Sequence, residues 1–246
     1  MNEEYLINYL EKYNNVDFEK LQNDRDRIRA LMNITTPVSL SEKFYKKQDI
    51  YLQNLLKEKT IVNIDEILGN KQIVLFLGDI TTIKADTIVN AGNSDLLGCF
   101  APLHYCIDNA IHSFGGLQIR RDLMNLMKGR KEANGKCKVT RAYNLPCKYV
   151  FHTVGPIFNG VISKQMEIDL TNCYLSCLQK ADEMKLNNIV FCSISTGIFG
   201  FPIEQASNIA INTVKEYINK TNSKLKVVFD LFSKKDYEMY EKKLKR

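Results

Sequence analysis

From residue 61 onward, short β-branched and apolar runs alternate with stretches of helical periodicity. No other feature restricts the fold of this chain as much. Ile73, Val74, Leu75, Phe76 and Leu77 form a continuous apolar run, which predicts a strand buried on both faces. Residues 85–89, 137–140, 149–154, 189–194 and 226–231 are strand-like as well. Helical patterns fall between them. One covers 108–127, with a possible break at Gly115 and Gly116. A second covers 166–184, where Leu170, Cys173, Tyr174, Cys177, Leu178 and Ala181 share a stripe. A third covers 203–218, with Glu204 near its start, where the helix dipole favours an acid. A last one begins at Asp236. The alternation predicts an α/β fold with a mostly parallel or mixed central sheet between helical layers.

Residues 1–60 differ. Leu6, Ile7 and Leu10 recur at helical spacing, as do Leu21, Ile28, Leu31 and Met32, with Asp24, Arg25, Asp26 and Arg27 on a polar face. Thr36 and Pro37 end that pattern, and Ser41 opens a third helical segment carrying Phe44, Tyr45, Tyr51, Leu52, Leu55 and Leu56. The expected organisation is a helical extension over 1–60, packed on a main domain over 61–246. Nothing in the extension suggests chemistry.

Composition excludes several classes. With 45% hydrophobic and 25% charged residues, the chain reads as an ordinary folded soluble protein with no membrane span. The start, Met1, Asn2, Glu3 and Glu4, lacks a basic-then-apolar signal, so a cytoplasmic location is expected. Seven scattered cysteines then read as thiols or metal ligands, not disulfides. Much of the net charge of +6 comes from Lys234, Lys235, Lys242, Lys243, Lys245 and Arg246, expected to be a solvated tail. No motif reads a nucleic-acid sequence, so no sequence-specific nucleic-acid partner is expected.

The chemistry concentrates in residues 90–108, between a strand and a helix, where open α/β sheets place their ligands. Cys99, His104 and Cys106 follow the spacing C-x4-H-x-C. Thiolate, imidazole and thiolate suit a zinc ion with one open position. Two buried cysteines and a loop histidine fit the spacing equally well. Ser195, Thr196, Gly197, Ile198, Phe199 and Gly200 follow a buried strand, so their N–H groups can form an anion-binding nest. An ordinary strand-to-helix turn is the alternative. Asp79, after Gly78 and before Ile80, can accept from an exocyclic amine or simply cap a turn. His152, inside a strand, reads as a hydrogen-bonded structural histidine. His112 is given no catalytic role. Cys137, Cys147, Cys173, Cys177 and Cys192 read as inert packing.

Four ordered segments resemble the macrodomain family: residues 78–80 (GDI), 88–94 (IVNAGNS), 149–156 (YVFHTVGP) and 195–202 (STGIFGFP). The resemblance covers roughly residues 72–240 and implies a three-layer α/β/α sandwich with a mixed sheet that binds ADP-ribose. Residues 98–106, GCFAPLHYC, stand where most macrodomain hydrolases have a glycine run. That segment is similar to the zinc-containing microbial macrodomains, which also carry a helical N-terminal extension. These are protein-ADP-ribosyl hydrolases, often paired with a sirtuin-type ADP-ribosyltransferase.

The resemblance implies a mono-ADP-ribosylated protein as substrate, with Zn2+ on Cys99, His104 and Cys106. Asp79 and Ile80 would hold adenine. Ser195, Thr196, Gly197 and Ile198 would cradle the diphosphate, and Phe199 would lie on the distal ribose. Asn93 would bind that ribose beside the scissile bond, and Asn93 with Asp108 would orient ribose and water for catalysis. Ile107, Asp108 and Asn109 would complete the loop, and Phe229 would wall the adenine. A module that binds ADP-ribose without cleaving it, or a hydrolase of small ADP-ribose derivatives, would use the same pocket.

Overall fold

The computed structural model describes residues 2–18 and 20–245, so Met1 of the acidic start and Arg246 of the basic end lie outside the described residues. The chain opens with α1 (Asn2–Asn14), α2 (Asp24–Ile34) and α3 (Glu42–Lys57). It continues through β1 (Val62–Asn63), α4 (Ile64–Leu68), β2 (Ile73–Leu77), a single 3-10 turn (Ile80–Thr82), β3 (Ile83–Lys84) and β4 (Thr87–Ala91). Then come α5 (Ile107–Gly115), α6 (Leu117–Met127), β5 (Cys137–Arg141), β6 (Tyr149–Thr153) and α7 (Lys164–Glu183). The chain closes with β7 (Asn188–Phe191), α8 (Ile203–Thr221), β8 (Lys226–Leu231) and α9 (Lys234–Leu244).

Six strands form one sheet in the order β2-β8-β7-β4-β6-β5. Every pairing is parallel except β5 with β6, so the sheet is mixed. Side chains alternate across it. His152 on β6 meets His112 of α5, with ring centroids 6.0 Å apart. Its neighbour Thr153 meets Cys173 of α7 on the opposite face. Helices therefore flank both faces, with α7, α8 and α9 packed side by side in one layer. Parallel pairing also brings the carboxyl ends of β2, β4, β6, β7 and β8 to one edge, where the loops expected to carry chemistry emerge.

Several expectations need correcting. The run 73–77 is an edge strand in which only Val74 is buried, and Leu77 is exposed. The strand pairs on one side only, with β8, and its half-buried apolar residues pack against α4 and α9. The strand expected over 85–89 runs two residues later, over Thr87–Ala91, because Asp86 turns inward and binds Asn187 and Lys148. The strand expected over 189–194 ends at Phe191. The last helix starts two residues early, capped by Ser233, whose hydroxyl accepts from Asp236 N at 3.0 Å. The supposed basic tail is this packed helix: Tyr240 is fully buried and Lys243 pairs with Glu204.

The break at Gly115 and Gly116 is real. Gly116 has φ +98°, a conformation that L side chains rarely adopt, and a Cβ there would lie 2.6 Å from the Gln48 amide. The first helix pair is also locally encoded. Asn23 caps α2 by accepting from Arg25 N, and Ser41 caps α3 by accepting from Phe44 N. Leu21 lies before α2, not in it. Leu6, Leu10, Ile28, Leu31 and Phe44 pack a second hydrophobic cluster that Leu117 of α6 joins.

Candidate functional site

The loop from Gly92 to Cys106 leaves the central strand β4 and enters α5. Asn93 shapes its first turn, its Oδ1 accepting from Asp95 N at 3.0 Å while Nδ2 donates to the Gly98 carbonyl at 3.1 Å. One amide proton and one lone pair of Asn93 remain for other partners. Gly98 has φ +83°, and a Cβ there would sit 2.8 Å from the His112 ring. The loop then turns at Leu103, another left-handed residue with φ 56°. That turn folds the loop back so that the donor atoms of Cys99, before it, and His104 and Cys106, after it, all lie within 4.8 Å of one another.

The donor set fits zinc. Cys99 Sγ lies 3.5 Å from His104 Nδ1. Zinc–sulfur and zinc–nitrogen bonds of about 2.3 and 2.0–2.1 Å, at a tetrahedral angle, would set such ligands about 3.6 Å apart. Burial pushes the Cys106 thiol up to about 12, with the Cys99 thiol alongside adding to the effect. A thiol that resists ionising by itself becomes a ligand once a dication offsets its charge. Among the described residues no fourth protein ligand joins them.

Asp108 stands in the first turn of α5, 5% exposed. Burial pushes its carboxyl up to about 6, against the pull of Asn90 and Arg120. Its Oδ1 accepts from Asn90 Nδ2 at 2.8 Å. Asn90 in turn lies 3.2 Å from His152 Nδ1, and His152 Nε2 lies 2.9 Å from Thr140 Oγ1. Burial drives His152 down to about 3, so its ring is neutral. With Nδ1 accepting from Asn90, its one proton sits on Nε2 and is donated to Thr140. His152 is thus the hydrogen-bonded structural residue expected. His112 is also buried and held well below its ordinary value by that burial. Its Nε2 lies 3.5 Å from Asp108 Oδ1.

On the loop after β7, Ser195 takes φ 65° and its buried hydroxyl has no partner. A Cβ on Gly155 would come within 2.1 Å of that hydroxyl, so only glycine lets the two loops approach. Gly200 N and Phe201 N close the loop on Gly197 O and Ser195 O. Among the described residues, no protein acceptor takes the N–H groups of Thr196, Gly197, Ile198 and Phe199. Unclaimed N–H groups on an exposed loop make a binding place for an anion such as a diphosphate. Farther along the edge, Asp79 caps the 3-10 turn through Thr81 and pairs with Lys59 at 3.1 Å. The Thr81 and Lys59 donors hold its carboxyl below the usual range despite the opposing cost of burial.

A macro domain match spans residues 89–210, the stretch that contains both loops. A "Protein-ADP-ribose hydrolase" of Treponema medium is 42% identical over 250 residues, covering 97% of this chain and 96% of that protein. The chain belongs to the macro domain family. A "Protein-ADP-ribose hydrolase" of Staphylococcus aureus strain MRSA252 is also 42% identical, covering 99% of this chain and 95% of that protein. Among solved structures, the Trypanosoma brucei macrodomain in complex with ADP-ribose aligns with a TM-score of 0.67. It shares 27% identity and covers 87% of this chain and 94% of that one.

Within this macro domain, Asp79, Ile80, Asn93, Ile107, Asp108, Asn109 and residues 195–199 all lie on loops or helix starts along the carboxyl edge. Phe229 does not. Its ring is 1% exposed, packed in the core between Phe191, Tyr174 and Tyr240, so it cannot stack on a ligand. The aromatic at the edge is Phe232, 87% exposed and immediately after β8. Gly78 N bonds to Leu231 O at 3.2 Å, which sets Phe232 beside the Asp79 turn. Its signal in sequence was its place just past the apolar run of a strand. Two further features escaped sequence reasoning. Asp230 is buried at the same strand end, with Oδ1 unpartnered. The N-terminal helices also reach the site: Arg29 Nη2 donates to Asn109 at 2.9 Å, and Asn33 Oδ1 accepts from Leu103 N at 3.0 Å.

Proposed function

We propose that this macro domain is a zinc-dependent hydrolase that removes mono-ADP-ribose from modified proteins, acting on the ester between ADP-ribose and a carboxylate side chain. One observation carries the reading. Cys99, His104 and Cys106 converge next to Asp108, in a chain similar over nearly its whole length to proteins named protein-ADP-ribose hydrolases. In this reading residues 1–60 are a helical extension of a macro domain over 61–246. Cys99, His104 and Cys106 would hold the zinc ion, which would supply Lewis acidity when bound.

The chain's own groups do the rest. The free N–H groups of residues 196–199 take the diphosphate, with Ser195 and Gly197 giving the loop its shape. Ile198, exposed at the tip, and Phe199 cover the phosphates and distal ribose. Asp79 and the Ile80 backbone receive adenine against Phe232. Ile107 and Asn109 hold the start of α5, where Asp108 points its carboxylate, and Asn93 offers its remaining amide proton and lone pair to the ribose. Water adds across the ester, giving the free carboxylate, ADP-ribose and a proton.

The seven free thiols support a reducing, cytoplasmic location. No helix among the described residues is long and apolar enough to cross a membrane. The resemblance to the zinc-containing microbial group supports a sirtuin-type ADP-ribosyltransferase as the enzyme whose product this one removes.

The test pairs metal analysis with single-turnover release of ADP-ribose. Purified protein should carry one zinc and release ADP-ribose from aspartate- and glutamate-linked protein, while serine- and arginine-linked substrates persist. Cys99→Ala should abolish both zinc and turnover. Tight binding of ADP-ribose without release would make the chain a reader. Turnover of small ADP-ribose esters alone would make it a small-molecule hydrolase. A folded, zinc-free, fully active Cys99→Ala protein would end the metal reading.

A further inference from the structure

The metal loop is held from outside the macro domain proper. Arg29 and Asn33 are four residues apart on α2, one above the other on the face turned to α5. Asn33 is 1% exposed. Its Oδ1 accepts from Leu103 N at 3.0 Å, and its Nδ2 donates to Ser113 Oγ at 2.9 Å. Ser113 Oγ donates on to Asn109 Oδ1 at 3.2 Å, and Arg29 Nη2 donates to the same oxygen at 2.9 Å. Asn109 Nδ2 then returns to the loop, donating to Ala101 O at 3.0 Å, while Asn109 N points at Cys106 Sγ at 3.4 Å.

The chain of bonds therefore closes on both ends of the 101–103 turn, the turn that delivers His104. It also reaches the sulfur of Cys106 through a backbone N–H. Leu103 is in the left-handed region at φ 56°, which costs a non-glycine residue about 1–2 kcal/mol. The bond from Leu103 N to a buried amide on another helix is what holds that conformation. Groups that orient metal ligands in this way commonly set metal affinity by about 10- to 100-fold.

We propose that Asn33 and Arg29 of α2 are positioning residues for the Cys99–His104–Cys106 clamp, so that the N-terminal helices determine how tightly, and in what geometry, the macro domain holds its metal. The proposal rests on the zinc reading above, and its test separates the two. Zinc affinity is measured by competition with a chromophoric chelator, and the site geometry by the visible spectrum of the cobalt-substituted full chain. Both are readouts independent of turnover.

Asn33→Ala should weaken zinc binding about 10- to 100-fold and move the cobalt ligand-field bands. Asn33→Asp keeps the acceptor for Leu103 N and should restore affinity to within a few-fold. Arg29→Met keeps a stem of similar length and loses the guanidinium, with its donors to Asn109 and its place over the Phe114 ring. It should give a smaller loss of several-fold, and it serves if Asn33→Ala does not fold. Arg25→Ala, on the same helix but in an exposed pair with Glu58 at the end of α3, should change neither readout. Wild-type zinc affinity with an unshifted cobalt spectrum in Asn33→Ala and Arg29→Met would overturn the proposal, as would equal losses in Arg25→Ala. A wild-type protein that binds no zinc would instead overturn the metal reading, and the inference with it.

Discussion

Arg120 joins the two hydrophobic clusters, and its removal has a calculable cost. The residue lies on α6, 1% exposed. Its Nε donates to Leu97 O at 2.6 Å, and its Nη1 donates to Met32 O, Asn33 O and Thr35 O at 3.0, 2.9 and 2.5 Å. Three of these carbonyls end α2, which carries no basic residue in its last turn, and the fourth belongs to the loop that carries Cys99, His104 and Cys106. Burial lowers the guanidinium to about 10, partly offset by Asp108 and Cys99, so it stays charged at neutral pH.

Each charged hydrogen bond is worth about 1.5–3 kcal/mol, but burying the ion costs several kcal/mol in return. Truncation leaves the carbonyls of Leu97, Asn33 and Thr35 without a donor and Met32 O with the Thr35 N–H alone, beside a cavity, and breaking a buried ionic cluster from one side typically costs about 3–5 kcal/mol. We expect Arg120→Ala to lose about 4 kcal/mol, or roughly 8–16 °C in Tm for a chain of this size. Arg120→Lys keeps the charge but loses the planar fork, and should fall in between. Urea denaturation with a fixed m-value, alongside thermal melts, measures both. A loss below about 1 kcal/mol for Arg120→Ala would show that α2 and the loop do not depend on this cap, refuting the reasoning.

Two other outcomes follow from the site. Phe232→Ala should weaken ADP-ribose binding in calorimetry by about 2- to 12-fold, the worth of one aromatic stack, without loss of stability. Phe229→Ala should instead cost about 3–5 kcal/mol of stability. If the Phe229 variant folds normally and binds poorly while Phe232→Ala binds normally, the assignment is reversed. Burial, reinforced by Asp79, pushes the Asp230 carboxyl up to about 8. The folded state therefore binds this proton more tightly than the unfolded state. The resulting stability is complete below the ordinary carboxylate range and is lost as pH rises through about 8. Asp230→Asn removes that dependence. Its advantage over wild type in urea midpoint should open from about pH 4 to pH 8, at up to about 1.4 kcal/mol per pH unit, and a pH-independent difference would refute the account.

Much of the architecture was legible because it is written in local signals. Ser41 caps a helix, Gly115 and Gly116 break one, and the stripe from Leu170 to Ala181 declares its buried face. The trio able to hold a metal was legible because all three residues lie within eight positions, on one loop that the chain must fold back on itself. Errors arose where the answer depended on partners distant in sequence. An edge strand and a central strand look alike as apolar runs, and only pairing with β8 on one side alone exposes β2. Phe229 and Phe232 differ by three positions at a strand end, and only the register against Leu75 and Phe191 puts one in the core and leaves the other outside.

Short-range chemistry in the sequence determined the alternating elements, the helix caps and the set of atoms able to hold a metal. It could not reveal that Asn33 meets Leu103 seventy positions away, or that Arg120 reaches Thr35 across eighty-five. Those contacts come from docking the helical extension against α5 and α6, and long-range docking is decided by the burial of whole surfaces, not by any local pattern.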